Sequence, residues 1–201
     1  MTRSRGPWKV HDSREIYRNP WVSLTEYEVT QPDGEPGVYG VVGFANRALA
    51  ILPLLEDGRV VMVGQHRFPQ DRYSWEIPEG GGPLGTDPQA GAARELREET
   101  GYKAQYWQEI LHMDLSNSVT DEAAIGYIAT GLTPGEADPE GTEELVTREV
   151  HFRDALDEVS SGKISDALTV AMLLRAYYMA REGALDPDLA AAMLDTGARR
   201  A

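Results

Sequence analysis

Apolar and polar positions change their spacing along the chain, and those changes mark out its elements. From Tyr17 to Ala45 the pattern is that of β-strands. WVSLTEYEV and VYGVVGFA are rich in β-branched and aromatic residues, and TQPDGEPG between them reads as a turn. LAILPLL and RVVMVGQ flank EDG, where Asp57-Gly58 is a hairpin signal. YSWEIP, AQYWQEILHM, AAIGYIATGL and ELVTREVHF are further strands. Helical spacing predicts a helix from Pro88 to Thr100. Asp87 suits its N-cap, because the residue before a proline resists helical angles and Pro88 suits the first helical position. Thr86 with Gln89 also has capping-box spacing, but that choice would make Asp87 helical before a proline. Gly101 stands where a helix ends.

Later helices follow the same logic. FRDALDEVSSG reads as a helix closed by Gly162. Ser165 or Asp166 caps a longer helix through ALTVAMLLRAYYMAR, with Gly183 past its end. That helix is apolar on most sides, which predicts burial. DPDLAAAMLDTG gives a last short helix from Pro187. Strands in runs with helices inserted late indicate an α+β fold, or a mixed β-sheet sandwiched between helices, rather than regular βαβ alternation. A break near residues 46–48 divides an N-terminal antiparallel β subdomain (1–46) from a larger domain (47–183), followed by a C-terminal helical tail (184–201). The first part could pack elsewhere, on a second subunit.

Composition narrows the chemistry. The 201 residues are 41% hydrophobic and 26% charged, enough to build a core without staples. There is no cysteine, which excludes disulfides, thiolate metal sites and cysteine nucleophiles. No stretch approaches the roughly 18 apolar residues that span a bilayer, and the basic N-terminus lacks a signal-peptide core. A cytoplasmic location with no membrane partner is expected. The net charge of −14, with 19 Lys and Arg, disfavours a nucleic-acid partner. A small anionic substrate needs something positive beside it, and a divalent metal is an economical candidate.

The helix after Pro88 carries that possibility. At about 100° per residue, Glu95, Glu98 and Glu99 fall within roughly a third of its circumference. Ala92, Ala93, Leu96 and Thr100 form the adjoining stripe, so the carboxylates edge the buried face. Like charges at these spacings cost about 0.2–0.5 kcal/mol per pair. Arg94, four residues before Glu98, offsets one charge only on this reading. Three glutamates alone fit a solvated surface helix. The less favoured reading at this point is a carboxylate cluster for Mg2+ or Mn2+, hard cations that take oxygen ligands.

Gly80 to Tyr102 resembles the Nudix box, G-x5-E-x7-R-E-U-x-E-E-x-G-U, with U a bulky apolar residue. Gly80, Arg94, Glu95, Leu96, Glu98, Glu99 and Gly101 match at the right spacings. Thr86 stands where the family has its first glutamate, which mainly pairs with the box arginine, and Tyr102 takes the final U. The resemblance implies a Nudix fold and metal binding by Glu95, Glu98 and Glu99. Glu79 matches a position whose backbone carbonyl often joins the metal. The flanks resemble the ADP-ribose pyrophosphatase branch in shared order from about residue 8 to 180: NPWVSLTEYEVTQPDG, VGQHRFPQDRYSWEIPEGG, MDLSNSVTDE and VSSGKISDALTVAMLL.

That branch implies further roles. Arg67 matches an arginine on the substrate diphosphate, and Glu76 a glutamate near metal and substrate. Trp8 and Tyr39 fall where aromatics sandwich adenine. The general base is a glutamate on a loop after the box. ADPEGTEEL (137–145) makes Glu143 first choice, Glu144 second and Glu122 third. The implied reaction is metal-dependent hydrolysis of ADP-ribose to AMP and ribose 5-phosphate, by a homodimer with exchanged N-terminal strands. A nucleotide sugar or dinucleotide as substrate, or a sensor that binds ADP-ribose without cleaving it, are the alternatives.

Overall fold

The computed structural model describes residues 2–138 and 144–195. The chain forms two compact units. The first comprises residues up to Arg47 with Pro83–Gly85 and Met113–Ala124; the second comprises Ala48–Gly82, Thr86–His112 and the chain from Ile125 onward.

The first unit is built on β1 (Arg3–Arg5), β2 (Trp8–Arg18), β3 (Val22–Thr30) and β4 (Pro36–Phe44), which pair in that order, antiparallel throughout. The polar–apolar pattern predicted β3 and β4 but not β1 or β2. WKVHDSREIYR buries only Val10, and irregularities between Val10 and Asp12 and between Glu15 and Tyr17 break its alternation. A strand with two bulges and no apolar face leaves no period of two to read. Asn19 turns the chain from β2 into β3, its Oδ1 accepting from Trp21 N (2.9 Å) and Val22 N (2.8 Å). Residues 113–124 add to β4 through Val42 N to Val119 O and Asp121 N to Val42 O. Asp121 Oδ1 also accepts from Phe44 N at 2.8 Å.

The second unit is carried mainly on two sheets. One has the order β8 (Glu79–Pro83), β5 (Asn46–Pro53), β10 (Ala123–Thr133), β9 (Lys103–Asp114); the other runs β11 (Val146–His151), β6 (Arg59–Arg67), β7 (Arg72–Glu76). The Asp57-Gly58 turn forms as predicted, with Gly58 at φ 80° and Leu55 N bonded to Arg59 O. Its two strands do not pair as a full hairpin. They join different sheets, and beyond the turn bond the isolated bridge Leu54–Val60 links them. Glycines 80–82 are strand residues of β8. Their sequence carries no strand signal because a glycine offers neither β propensity nor a side chain to alternate.

Among the described residues, four α-helices complete the unit: α1 (Pro88–Thr100), α2 (Phe152–Ser160), α3 (Ala167–Arg181) and α4 (Pro187–Leu194). Each follows a side-chain cap, from Asp87, His151, Asp166 and Asp186 respectively. Asp166, not Ser165, caps α3. That helix buries Leu168, Met172, Leu173, Ala176 and Met179, while Leu174 and Tyr178 stay about half exposed, so its apolar sequence covers more than its buried face. The core under α1 joins Ala92 and Leu96 to Leu49, Ile51, Ile125, Tyr127 and Ala129. Burying one leucine side chain such as Leu96 stabilises by about 1.5–3 kcal/mol. No described helix is long and apolar enough to cross a membrane.

Candidate active site

Helix α1 is fixed at both ends and along one side. Asp87 Oδ1 accepts from Gln89 N (3.1 Å), Pro88 opens the helix, and Gly101 closes it at φ 75° with its N–H on Arg97 O. Its side lies against β8 more closely than side chains permit. A Cβ on Gly91 would stand 2.7 Å from Leu49 Cδ1, and one on Gly82 would stand 2.8 Å from the same atom. A Cβ on Gly80 would overlap the Glu95 side chain. The glycines therefore let β8 pass under the helix where its glutamates emerge.

The three glutamates are more enclosed than a surface helix would allow. Glu99 is 4% exposed, and the side chains of Glu95 and Glu98 are 13% and 19% exposed. Arg94 does not offset one charge only. Its Nη2 donates to Glu95 Oε1 and its Nη1 to Glu98 Oε2, both at 2.6 Å, and Nη2 also reaches Gly81 O at 3.2 Å. The planar fork of a guanidinium carries donors on separate nitrogens, so one arginine can serve two carboxylates. It also ties α1 to β8, although Thr86 occupies the position of the family's bracing glutamate. Arg97 Nη2 adds a contact to Glu98 Oε1 at 3.2 Å. Glu79 N donates to Glu99 Oε2 at 3.3 Å. As the side chains stand, no three His, Asp or Glu among the described residues form a ready metal cluster.

Glu79 also faces α3. Thr169, 0% exposed, donates from Oγ1 to Glu79 Oε1 at 3.3 Å and accepts from Ile77 N at 3.0 Å. The residue keeps some exposure, yet its carboxyl is surrounded by protein. Desolvation first, then the charge and hydrogen bond of Asp166, push it well above the usual carboxylate range; Arg67 opposes them only in part. Sequence alone gave no sign of Thr169, since one threonine in an apolar helix changes no periodicity.

Arg67 and Glu76 are brought together as a pair. Glu76 is 2% exposed and takes Arg67 Nε at 3.1 and 3.0 Å and Nη2 at 2.5 Å. The register of β6 with β7 does not set them opposite each other, and the long Arg67 side chain reaches back along the strand pair to the carboxylate. That register sets Val63 opposite Glu76 and Arg67 opposite Arg72. Past β10, Asp138 N donates to Glu98 O, and Gly135 lies so close to Gly101 that a Cβ there would be 2.8 Å from its carbonyl oxygen. Glu143 lies outside the described residues. Glu144 is exposed.

Trp8, Tyr39 and Glu122 belong to the first unit. The two rings meet edge to face, with centroids 5.3 Å apart and planes at 86°. Within one chain they thus touch each other and do not form a parallel sandwich. Both line a cavity of about 310 Å³ with Arg5, Tyr27, Val29 and Asp121, large enough for a small ligand. Tyr39 Oη donates to Ser118 O at 2.5 Å. Burial, then the charge of Asp121, raises the Glu122 carboxyl.

Residues 45–168 match the family model of the Nudix domain, and residues 8–42 match that of the nucleoside diphosphate sugar hydrolase N-terminal domain. An ADP-ribose pyrophosphatase of Bacillus subtilis (strain 168) is 32% identical over 80% of this chain and 88% of its own length. A methanol dehydrogenase activator of Bacillus methanolicus is 30% identical over 81% and 88%. A GDP-mannose pyrophosphatase of Yersinia pestis (strain Pestoides F) is 30% identical over 79% and 86%. A crystal structure of an ADP compounds hydrolase superposes with a TM-score of 0.79 over 91% of this chain and 100% of its own, at 17% identity, a likeness of fold.

Proposed function

The chain belongs to the Nudix hydrolase family, and from that premise we propose that it hydrolyses the diphosphate bond of ADP-ribose to AMP and ribose 5-phosphate. The observation that carries this reading is the enclosure of Glu95, Glu98 and Glu99 on one edge of α1, in a chain whose pyrophosphatase relative aligns over most of both lengths. The donor set fits a hard divalent cation: carboxylate oxygens only, at a place where Gly80 clears the strand beneath Glu95. Nudix hydrolases use such cations, and here Mg2+ or Mn2+, held by Glu95, Glu98 and Glu99 with Glu79 beside them, would neutralise the diphosphate and lower the pKa of water.

The chain's own groups do the rest. Arg94, which holds Glu95 and Glu98 in place, orients them from one side. Arg67 binds the diphosphate. Its bonds to Glu76 use Nε and Nη2, so Nη1 is the remaining edge for a phosphate oxygen, and the buried carboxylate fixes the plane of the guanidinium. Glu143 takes the proton of the attacking water, with Glu144 and then Glu122 as alternative bases. Trp8 and Tyr39 supply aromatic surface for the base. The working form is a homodimer in the cytoplasm, in which a second chain completes the aromatic cavity.

A second reading has a specific observation behind it. The match of residues 8–42 to a nucleoside diphosphate sugar hydrolase domain, together with the GDP-mannose pyrophosphatase relative, favours a nucleotide sugar as substrate. A panel of ADP-ribose, nucleotide sugars and dinucleotides with Mg2+ or Mn2+, products resolved by chromatography, decides between them. Replacing Glu98 and Glu99 together by glutamine is expected to keep the fold and lower turnover by roughly 10²–10³-fold, the size of losing one aligned electrostatic stabiliser. Unchanged turnover would remove the glutamates from the mechanism, and no turnover on any compound would leave a sensor that binds without cleaving.

A further inference from the structure

Between β7 and β8 the chain leaves one sheet and enters another, across Ile77 and Pro78. Such a crossing leaves backbone groups without a ladder partner, and buried N–H groups are almost always satisfied. Pro78 has no N–H, and its carbonyl accepts from Ile51 N on β5 at 2.9 Å. Ile77 is fully buried, and its N–H goes to Thr169 Oγ1 on α3 at 3.0 Å. Because that oxygen accepts from Ile77, its own hydrogen is left to donate, and Glu79 Oε1 lies 3.3 Å away. Glu79 in turn donates its N–H to Glu99 Oε2. One hydroxyl thus satisfies the sheet crossing and, beside the hydrogen bond with Asp166, holds the carboxyl of the residue that leads into the box. Thr169 is itself held, since its N–H donates to the capping Asp166 Oδ2 at 2.8 Å.

We propose that Thr169 is a positioning residue for the glutamate site, acting through Glu79: its hydroxyl sets the Glu79 carboxyl, and with it the backbone N–H that orients Glu99. The proposal rests on the reading of that site as a divalent-cation centre. Partners one bond removed from a metal ligand commonly change metal affinity or activity by about 10–100-fold when lost.

Thr169→Val keeps the branched shape and removes both hydrogen bonds, and Thr169→Ser restores the hydroxyl. Calorimetric titration of the metal-free full-length protein with Mn2+, at a temperature where every variant is folded, is expected to show roughly 10-fold weaker binding for Thr169→Val and near-parental binding for Thr169→Ser. Turnover should fall with the valine while the KM for the nucleotide stays level. Thr169→Val should add nothing once Glu79 is already Gln, because residues acting through one another are non-additive. If Thr169→Val does not fold, Thr169→Ala carries the same series. A valine variant that loses only thermal stability, or an effect that adds fully to Glu79→Gln, overturns the proposal. A parental protein that binds no Mn2+ overturns the cation reading itself, and the role of Thr169 with it.

Discussion

The two units enclose very different amounts of apolar surface. Among the described residues, the first buries Val10, Val29 and Ala124, whereas the second buries all the other core residues, Leu49 to Met193. The first is a four-strand meander with a polar second strand, held chiefly by its backbone ladder. The second places its glutamates where a strand, a capped helix and a dense core fix the backbone on several sides. Chemistry needs groups held within a fraction of an ångström, and rigid elements supply that. A sheet with little core of its own suits a surface that a ligand or a second chain covers.

That contrast can be broken at four positions, in falling order of effect. Gly80→Ala strikes the second unit at its tightest point, where the new methyl would overlap Glu95. Displacing one reacting group by about an ångström costs on the order of 10²-fold in turnover. Steady-state kinetics should show that loss in kcat with little change in KM, and parental kcat would mean that α1 and β8 separate at no cost. Leu96→Ala and Val29→Ala compare the two cores directly. The leucine should cost about 2–5 kcal/mol in urea unfolding. The valine should cost about 1.5 kcal/mol, the transfer of two carbons at most. Equal losses would show that the first unit is as tightly packed as the second.

The smallest effect concerns pH. The Glu79 carboxyl is raised in the folded state, by burial first and by Asp166 next. Folding therefore favours its protonated form, a contribution that is complete below the ordinary value of 4.5 and lost as pH rises through the folded one. In metal-free protein, Glu79→Gln should gain in Tm relative to the parent as pH increases above that value. A Tm difference that is flat with pH would show that the carboxyl ionises without penalty.

Legibility did not follow that divide. Helix α1 could be drawn residue by residue because Asp87, Pro88 and Gly101 each have a local backbone reason to stand where they do. The family pattern could be recognised because the glutamates recur at fixed helical spacing. Strand β2 was invisible because its bulges and polar residues cancel the alternation, and β8 because its glycines carry no propensity. Arg94's double contact and the pairing of Arg67 with Glu76 depend on side-chain direction and strand register, which spacing along a chain does not encode. Thr169 lies 90 residues from Glu79 and meets it only because α3 packs there. Trp8 and Tyr39 were read as aromatics that sandwich adenine, and neither their mutual contact nor the edge-on angle between their rings could be drawn from the sequence.

Leu49 touches the space that a side chain at Gly82 or at Gly91 would need. These three positions, scattered over more than forty residues of sequence, therefore share a single allotment of volume. In a lineage of such proteins a methyl gained at either glycine is tolerable only beside a smaller residue at position 49. Substitutions at the three should appear and vanish together, as a correlated set that no one position would reveal by itself.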